Sequence, residues 1–238
     1  MPLIFNTNVF GLIKLISSFI NRLNHKKNGL NIYLQILFMI FAASCSNQLL
    51  AKPIKVMMFG DSISAGYGMQ LNQSWPHLLN ETFINEQQPI QIINESISGE
   101  TTGGGLARLP EVLKRQQLGS NDWLIIELGG NDGLRGFPVK TVKQNLTKMI
   151  QIAQYQGINV ALMQIRIPPN YGRRYTSMFE QQYPKLTQQF NIPLLPFFME
   201  KIAINPEYMQ KDNLHPNISA QVVIRDIMKP EIEQLVGF

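Results

Sequence analysis

The chain offers few side chains that could act as a general base near neutral pH. It has three histidines, His25, His77 and His215. His25 lies in a basic, apolar N-terminal segment, and His77 lies in a segment patterned like a helix, which leaves His215 as the candidate base. His215 follows Asp212 in the sequence DNLHP, where a carboxylate can orient the imidazole and stabilise its protonated form. The alternative is a surface loop in which Asp212 caps the final helix.

A serine that could serve as a nucleophile follows the first apolar run, in the sequence GDSISAGYG at residues 60–68. A serine at a strand-to-helix turn is exposed, and nearby backbone N–H groups can stabilise a developing oxyanion. Ser62 is therefore a candidate nucleophile. The alternative is an ordinary loop in which Ser62 or Ser64 caps a helix. The patterns GxxxxGK[ST] and GxSxG, which mark phosphate-binding loops and α/β-hydrolases, do not occur here.

Two further loops carry glycine and polar residues. They are SISGETTGGG at residues 96–105 and GGNDG at residues 129–133. Asn131 has an amide that can reach the same oxyanion as Ser62, although Asn-Asp-Gly is also a common turn composition. The joint occurrence of serine, histidine, aspartate and amide favours a serine hydrolase. His, Cys, Asp and Glu show no metal-ligand spacing, so we expect neither a metal nor a cofactor.

The loops that carry Ser62, Asn131 and His215 can act together only if the fold brings them to one edge of a sheet. Near-continuous apolar runs predict strands at 54–59, 90–93, 123–128, 159–165 and 192–195. The segments between them predict helices at 73–86, 106–118, 138–156, 175–189 and 216–235, the last with Pro216 in its first turn. This alternation predicts an α/β fold, a doubly wound parallel sheet of about five strands with helices on both sides. In such sheets ligands bind beyond the carboxyl ends of the strands, where the candidate residues stand.

The N-terminal segment, residues 1–51, differs from the rest. Residues 1–50 contain no acidic residue, and a 14-residue apolar run at 30–43 suits a signal peptide but is short for a membrane span. Cleavage after Ala51 is the preferred interpretation, with a periplasmic or secreted product. The alternatives are an uncleaved membrane anchor or lipidation at Cys45. Because residues 1–22 form another apolar stretch, a further hypothesis is that the leader is over-extended and that translation starts near Leu23.

The charge distribution separates the leader from the remaining chain. The whole chain has 21 basic and 16 acidic residues, but all the acidic residues follow residue 51, and residues 52–238 carry a net charge of +1. The basic excess therefore belongs to the leader, and we expect no nucleic-acid partner. The single cysteine is Cys45, so the nucleophile of residues 52–238 is not a thiol. With no linker or low-complexity tract, residues 52–238 are predicted to form one domain.

The motifs GDSISAGYG, Gly99, GGND and DNLHP, in this order, resemble those of the SGNH (GDSL-type) hydrolase superfamily. The stretches NESISGETTGGGLARLP, ELGGNDGLRGFP, LMQIRIPPNYGRRY and PLLPFFM are similar to its bacterial branch of periplasmic thioesterases that are also lysophospholipases and arylesterases. The resemblance runs from Ile54 to Leu235. It implies a three-layer α/β/α, flavodoxin-like fold and a monomeric hydrolase of acyl esters, thioesters or lysophospholipids.

The resemblance also implies roles for individual residues. Ser62 would be the nucleophile, His215 the base and then the acid, and Asp212 the residue that orients it. The oxyanion hole would consist of the backbone N–H groups of Ser62 and Gly99 and the side-chain amide of Asn131. A mobile loop and two further residues would line the acyl groove: Gly133, Leu134, Arg135, Gly136, Phe137, Pro138, Ile167 and Pro168. The alternative for the apolar members of this set is a role in the core.

Rival functions remain open at this point. One is a carbohydrate-acetyl esterase of the same superfamily, although GLRGF and IRIPPNYGRR match the thioesterase branch better. Another is a periplasmic binding module that uses the same loops without turnover. Such a module would not need serine, histidine and aspartate together. Membrane contact is expected only through the leader or the substrate.

Overall fold

The computed structural model of the protein describes residues 52–238, so the predictions about the leader and the domain boundary at residue 51 lie outside what it can show. These residues form five strands, β1 Ile54–Gly60, β2 Ile90–Asn94, β3 Trp123–Glu127, β4 Asn159–Met163 and β5 Leu194–Leu195. They also form eight α-helices, α1 Ser62–Ala65, α2 Trp75–Asn85, α3 Thr102–Gln116, α4 Gly130–Leu134, α5 Val139–Tyr155, α6 Arg173–Phe190, α7 Met199–Ile202 and α8 Ile218–Val236.

The strands form one parallel sheet in the order β2-β1-β3-β4-β5. This is the flavodoxin-like order, in which the direction of winding across the sheet reverses: the chain passes from β1 to β2 on one side and then crosses back to β3 on the other. The reversal leaves a crevice beyond the carboxyl ends of β1 and β3. The register pairs Gly60, the last residue of β1, with Glu127, the last residue of β3. The segments that follow these two strands therefore start side by side. The predicted α/β fold with a doubly wound sheet is confirmed.

Apolar side chains cover both faces of the sheet. Alternate residues of β1 point to opposite sides, as strand geometry requires, so that Met57 and Phe59 join one core cluster while Val56 and Met58 join the other. The first cluster is completed by α3, α5 and α6, and the second by α2, α7 and α8. Helices thus lie on each side of the sheet in three layers. In residues 52–238, no helix combines the length and apolar character that a membrane crossing requires.

Two helices begin at other residues than the sequence predicts, and in both a polar side chain caps the first turn. Helix α3 begins at Thr102 rather than 106, because the Thr101 side chain accepts a hydrogen bond from Gly104 N. Helix α8 begins at Ile218, because the Asn217 side chain accepts from Ala220 N. The prediction that Pro216 lies in the first turn of this helix is wrong, since Pro216 precedes the cap. The short helices α1, α4 and α7 were not predicted as helices.

Candidate active site

A chain of hydrogen bonds joins the predicted serine, histidine and aspartate. His215 Nδ1 donates to Asp212 Oδ2 over 2.7 Å, and His215 Nε2 lies 2.9 Å from Ser62 Oγ. With the proton on Nδ1, Nε2 is free to accept the hydroxyl proton of Ser62. Ser62 and His215 are 153 residues apart, so the fold itself creates this contact. The arrangement can pass a proton from the serine hydroxyl to the imidazole.

The loop of Asp212 is shaped by the same carboxylate. Asp212 Oδ1 accepts hydrogen bonds from Leu214 N at 2.9 Å and His215 N at 3.0 Å. The hydrogen bond from the His215 side chain, and then those from the two backbone N–H groups, lower the pKa of Asp212 from 3.8 to about 2. Asp212 is therefore ionised at neutral pH. An ionised carboxylate at this position fixes the tautomer of His215 and favours its protonated form.

Ser62 stands at the first position of α1, directly after β1. The cap of this helix is neither Ser62 nor Ser64, because the Asp61 side chain accepts from Ile63 N at 3.1 Å. Ser64 is fully buried. Ser62 is itself only 9% exposed, so the prediction of an exposed serine is wrong, and its hydroxyl faces His215. Capping by Asp61 leaves the Ser62 hydroxyl available for the contact with the imidazole.

The predicted oxyanion donors meet at the same place. Ser62, Gly99 and Asn131 all line one cavity. Gly99 adopts φ +79°, a conformation that favours glycine, while a Cβ built at this position would meet nothing within 4 Å. Backbone conformation rather than lack of space therefore calls for glycine here. Asn131 Nδ2 donates to Asp61 Oδ2 at 3.1 Å, which orients its amide nitrogen and leaves a second N–H free.

Two buried carboxyl groups lie beneath the serine. Glu127 is only 2% exposed, and a Cβ on Gly60 would clash with its Oε2, so residue 60 has no room for a side chain. Burial raises the pKa of Asp61 from 3.8 to about 6. Burial, and then the charge of Asp61, raise the pKa of Glu127 well above its ordinary value. Both groups hold their protons more tightly than exposed carboxyls do.

A cavity of about 860 Å³ opens beside Ser62 and His215. Leu134, Ile167 and Pro168 line it, as predicted for an acyl groove. Ile167 is also a member of the core cluster on that side of the sheet, so the alternative role in the core holds for it as well. Within residues 52–238, no group of three or more His, Cys, Asp and Glu side chains is arranged to hold a metal ion.

The other predicted groove residues lie next to the cavity rather than in its lining. Gly133 is covered by Ile167, since a Cβ there would lie 2.5 Å from Ile167 Cγ2. The lining does not include Arg135, Gly136, Phe137 or Pro138. Two tyrosine hydroxyls fasten this loop, Tyr171 to the carbonyl of Leu134 and Tyr175 to the carbonyl of Phe137, both within 2.8 Å. Its mobility and its contact with substrate stay predictions.

The comparisons with known proteins identify the family. Residues 58–221 match the model of the GDSL-like Lipase/Acylhydrolase family, a span that begins in β1 and ends in α8. The chain belongs to this family. Membership confirms the resemblance drawn from the motifs and makes the protein a GDSL-like hydrolase.

Named relatives agree with this assignment. An arylesterase of Vibrio mimicus is 46% identical over 84% of this chain and 95% of its own. Thioesterase 1/protease 1/lysophospholipase L1 of Escherichia coli K12 is 44% identical over 86% of this chain and 92% of its own. The psychrotrophic esterase EstA from Pseudoalteromonas sp., whose structure was solved inhibited by monoethylphosphonate, is 43% identical with a TM-score of 0.75 and covers 77% of this chain and 99% of its own.

Two contacts of this GDSL-like hydrolase were not expected from its sequence. Asp61 orients the amide of Asn131. The position of Asp61 between Gly60 and Ser62 in the sequence does not predict this contact. The buried carboxylate of Asp132 accepts from Thr102 N at 2.8 Å and from Thr102 Oγ1 at 2.6 Å. The Asn-Asp-Gly composition indicates a turn at Asp132. Its burial within α4 becomes visible only in the folded chain.

Proposed function

We propose that Ser62 attacks the carbonyl carbon of an acyl ester or thioester and forms an acyl-enzyme. His215 accepts the proton of the serine hydroxyl and passes it to the leaving alcohol or thiol. Water then hydrolyses the acyl-enzyme by the same route, with His215 acting as base and then as acid. The observation that carries this proposal is the continuous hydrogen-bond chain from Asp212 through His215 to Ser62 at the cavity.

The negative charge of the tetrahedral intermediate would be stabilised by three donors, namely the backbone N–H groups of Ser62 and Gly99 and the amide of Asn131. Support comes from their shared position in the cavity lining and from the hydrogen bond that orients Asn131 on Asp61. Fixed donors aimed at a developing oxyanion stabilise the transition state without reorganising as the charge forms.

The proposed substrates are acyl esters, thioesters and lysophospholipids. The named relatives include an arylesterase and a thioesterase that is also a lysophospholipase. The apolar lining beside Ser62, formed in part by Leu134, Ile167 and Pro168, suits a hydrocarbon chain better than an acetyl group. If the leader directs export, the enzyme meets lysophospholipids and other esters rather than cytosolic thioesters. We therefore place lysophospholipids and esters ahead of acyl-coenzyme A, with the protein acting as a periplasmic or secreted monomer.

The test compares Ser62→Ala with Ser64→Ala, a matched control that removes the hydroxyl of a buried serine in the same helix. Both variants and the parent protein are assayed with p-nitrophenyl esters of increasing chain length and with lysophosphatidylcholine. We expect Ser62→Ala to lose turnover of every substrate and Ser64→Ala to keep most of it. Full activity of Ser62→Ala would refute the nucleophile. Turnover of the acetate alone would favour an acetyl esterase, and no turnover by the parent protein would favour a binding module.

A further inference from the structure

The ring of Tyr67 lies against the imidazole of His215. The two ring centroids are 4.3 Å apart with an interplanar angle of 33°. The edge of the imidazole is already engaged, Nδ1 by Asp212 and Nε2 by Ser62, so Tyr67 covers a face that those two residues leave free. Tyr67 is 46% exposed and lines the cavity. It is thus an aromatic side chain in direct contact with the proposed base.

Tyr67 is held in place by its own backbone. Its N–H donates to the carbonyl of Ser62 at 3.1 Å, which ties the tyrosine to the serine five residues earlier. Its carbonyl accepts from Gln210 Nε2 at 2.8 Å. The residues on either side are Gly66 and Gly68, at φ +74° and +76°, conformations that let the chain turn sharply around the tyrosine. The position of the ring is therefore set by the turn after α1.

Gln210 connects this turn to the loop of the histidine. Its side-chain Nε2 also donates to the carbonyl of Pro216 at 3.0 Å, and its backbone N–H donates to the carbonyl of His215 at 2.8 Å. A Cβ on Gly68 would lie 2.9 Å from Gln210 Oε1, so glycine at 68 also leaves space for this side chain. One glutamine thus fastens the segment that carries Ser62 to the segment that carries His215.

We propose that Tyr67 is a positioning residue that acts through His215. Its ring keeps the imidazole in the orientation that engages Asp212 and Ser62 together, and its π-face stabilises the imidazolium that forms when Ser62 loses its proton. Gln210 holds the tyrosine in that place. The inference rests on the proposed function, since it assigns a task only if His215 is the base. The contact between Tyr67 and His215 is made by the two rings, so we assign this task to the ring and not to the hydroxyl.

The experiment measures kcat and KM of Tyr67→Phe and Tyr67→Leu with p-nitrophenyl acetate and p-nitrophenyl octanoate. We expect Tyr67→Phe to keep kcat within about twofold, because the ring remains. Tyr67→Leu should lower kcat by about three- to tenfold for both esters, the size of a lost aromatic or cation–π contact. Because residue 67 is half exposed, the change from tyrosine to leucine opens no buried cavity. If Tyr67→Leu folds poorly, Tyr67→Met takes its place in the experiment.

Controls separate this inference from the proposed function. Tyr155→Leu removes a tyrosine ring that is 94% exposed on α5 and should leave both constants unchanged. If Tyr67→Leu affects only the KM of the octanoate, Tyr67 merely lines the cavity and the inference is overturned. Equal loss in Tyr67→Phe and Tyr67→Leu, or unchanged kcat in both, overturns it as well. An active Ser62→Ala would instead refute the proposed function, whatever the Tyr67 variants show.

Discussion

Asp61 makes two structural hydrogen bonds although burial of its carboxylate is unfavourable. Its carboxylate caps α1 through Ile63 N and orients the amide of Asn131, yet it lies beside the buried Glu127. Exposure of this group to water would stabilise its charged form, so burial favours the protonated form in the folded protein. The residue therefore links the geometry of the oxyanion site to the pH dependence of stability.

Replacing Asp61 by Asn should change how the free energy of unfolding varies with pH. Burial raises the pKa of Asp61 from 3.8 to about 6, so between about pH 4 and pH 6 the folded protein binds more protons than the unfolded chain. The contribution of Asp61 to the free energy of unfolding therefore falls as the pH rises through that window. Urea unfolding from pH 3 to pH 7 should show a shallower decline in Asp61→Asn than in the parent protein.

Asp212 supplies the matched control for this measurement, because its pKa moves in the opposite direction. Its pKa is lowered from 3.8 to about 2, so its contribution to the free energy of unfolding is present above about pH 4 and is lost as the pH falls towards 2. Asp212→Asn should change the pH profile below pH 4 rather than between pH 4 and pH 6. An unchanged slope in Asp61→Asn between pH 4 and pH 6 would contradict the raised pKa.

Single residues differ in how far the sequence alone can predict their place. Ser62, Asn131 and His215 stand in short motifs directly after strands or before a helix, so both their residue types and their meeting point follow from the topology of the sheet. Tyr67 and Gln210 meet across 143 residues through a side chain and a carbonyl group. No motif records such a contact, because it depends on loop conformations that the strand order does not determine.

The start of α3 is held by long-range contacts. Thr102 donates its backbone N–H and its hydroxyl to the buried Asp132 in α4, and Asn145 Nδ2 in α5 donates to the Thr102 hydroxyl at 3.0 Å. Three helices are joined at this point, close in sequence to Gly99 and Asn131. The glycine-rich segment before Leu106 obscured the helix in the sequence, since glycine is unfavourable in helices.

Substituting Asp132 by Asn should destabilise this junction. An amide offers one acceptor oxygen where the carboxylate offers two, so one of the two buried Thr102 donors loses its partner. The expected cost is about 1–3 kcal/mol in the free energy of unfolding. Glu111→Gln on the exposed side of α3 makes the same chemical change without a buried partner and should cost almost nothing. If Asp132→Asn and Glu111→Gln had equal denaturation midpoints, the Asp132 contacts would not contribute the expected free energy of unfolding.

At the scale of the whole molecule, the order β2-β1-β3-β4-β5 explains why motifs distributed over most of the chain meet at one cavity. Parallel strands end at the same edge, so the segments after β1 and β3 bring Ser62 and Asn131 together, and the loop before α8 adds His215. The alternation of apolar runs with helical segments was sufficient to predict this architecture. The apolar lining of the cavity is harder to predict, because an apolar residue such as Ile167 can pack in the core and line the cavity at the same time.

The net charge of the chain is unevenly distributed along the sequence. Residues 52–238 carry a net charge of +1, so four of the five net positive charges of the chain lie in residues 1–51. Cleavage after Ala51 and release into the periplasm or the medium stay predictions. That this nearly neutral domain binds a small acyl substrate and no nucleic acid also stays a prediction.

The nucleophile is tested most directly by mapping the site of reaction with an organophosphonate by mass spectrometry. We expect one adduct per protein on the peptide that contains Ser62, loss of esterase activity in proportion to labelling, and no adduct in Ser62→Ala. The hydroxyl of Ser62 is the one that lies 2.9 Å from His215 Nε2, which explains the expected selectivity. Loss of activity with the adduct on another residue, or labelling of Ser62→Ala at the same rate, would show that Ser62 is not the nucleophile.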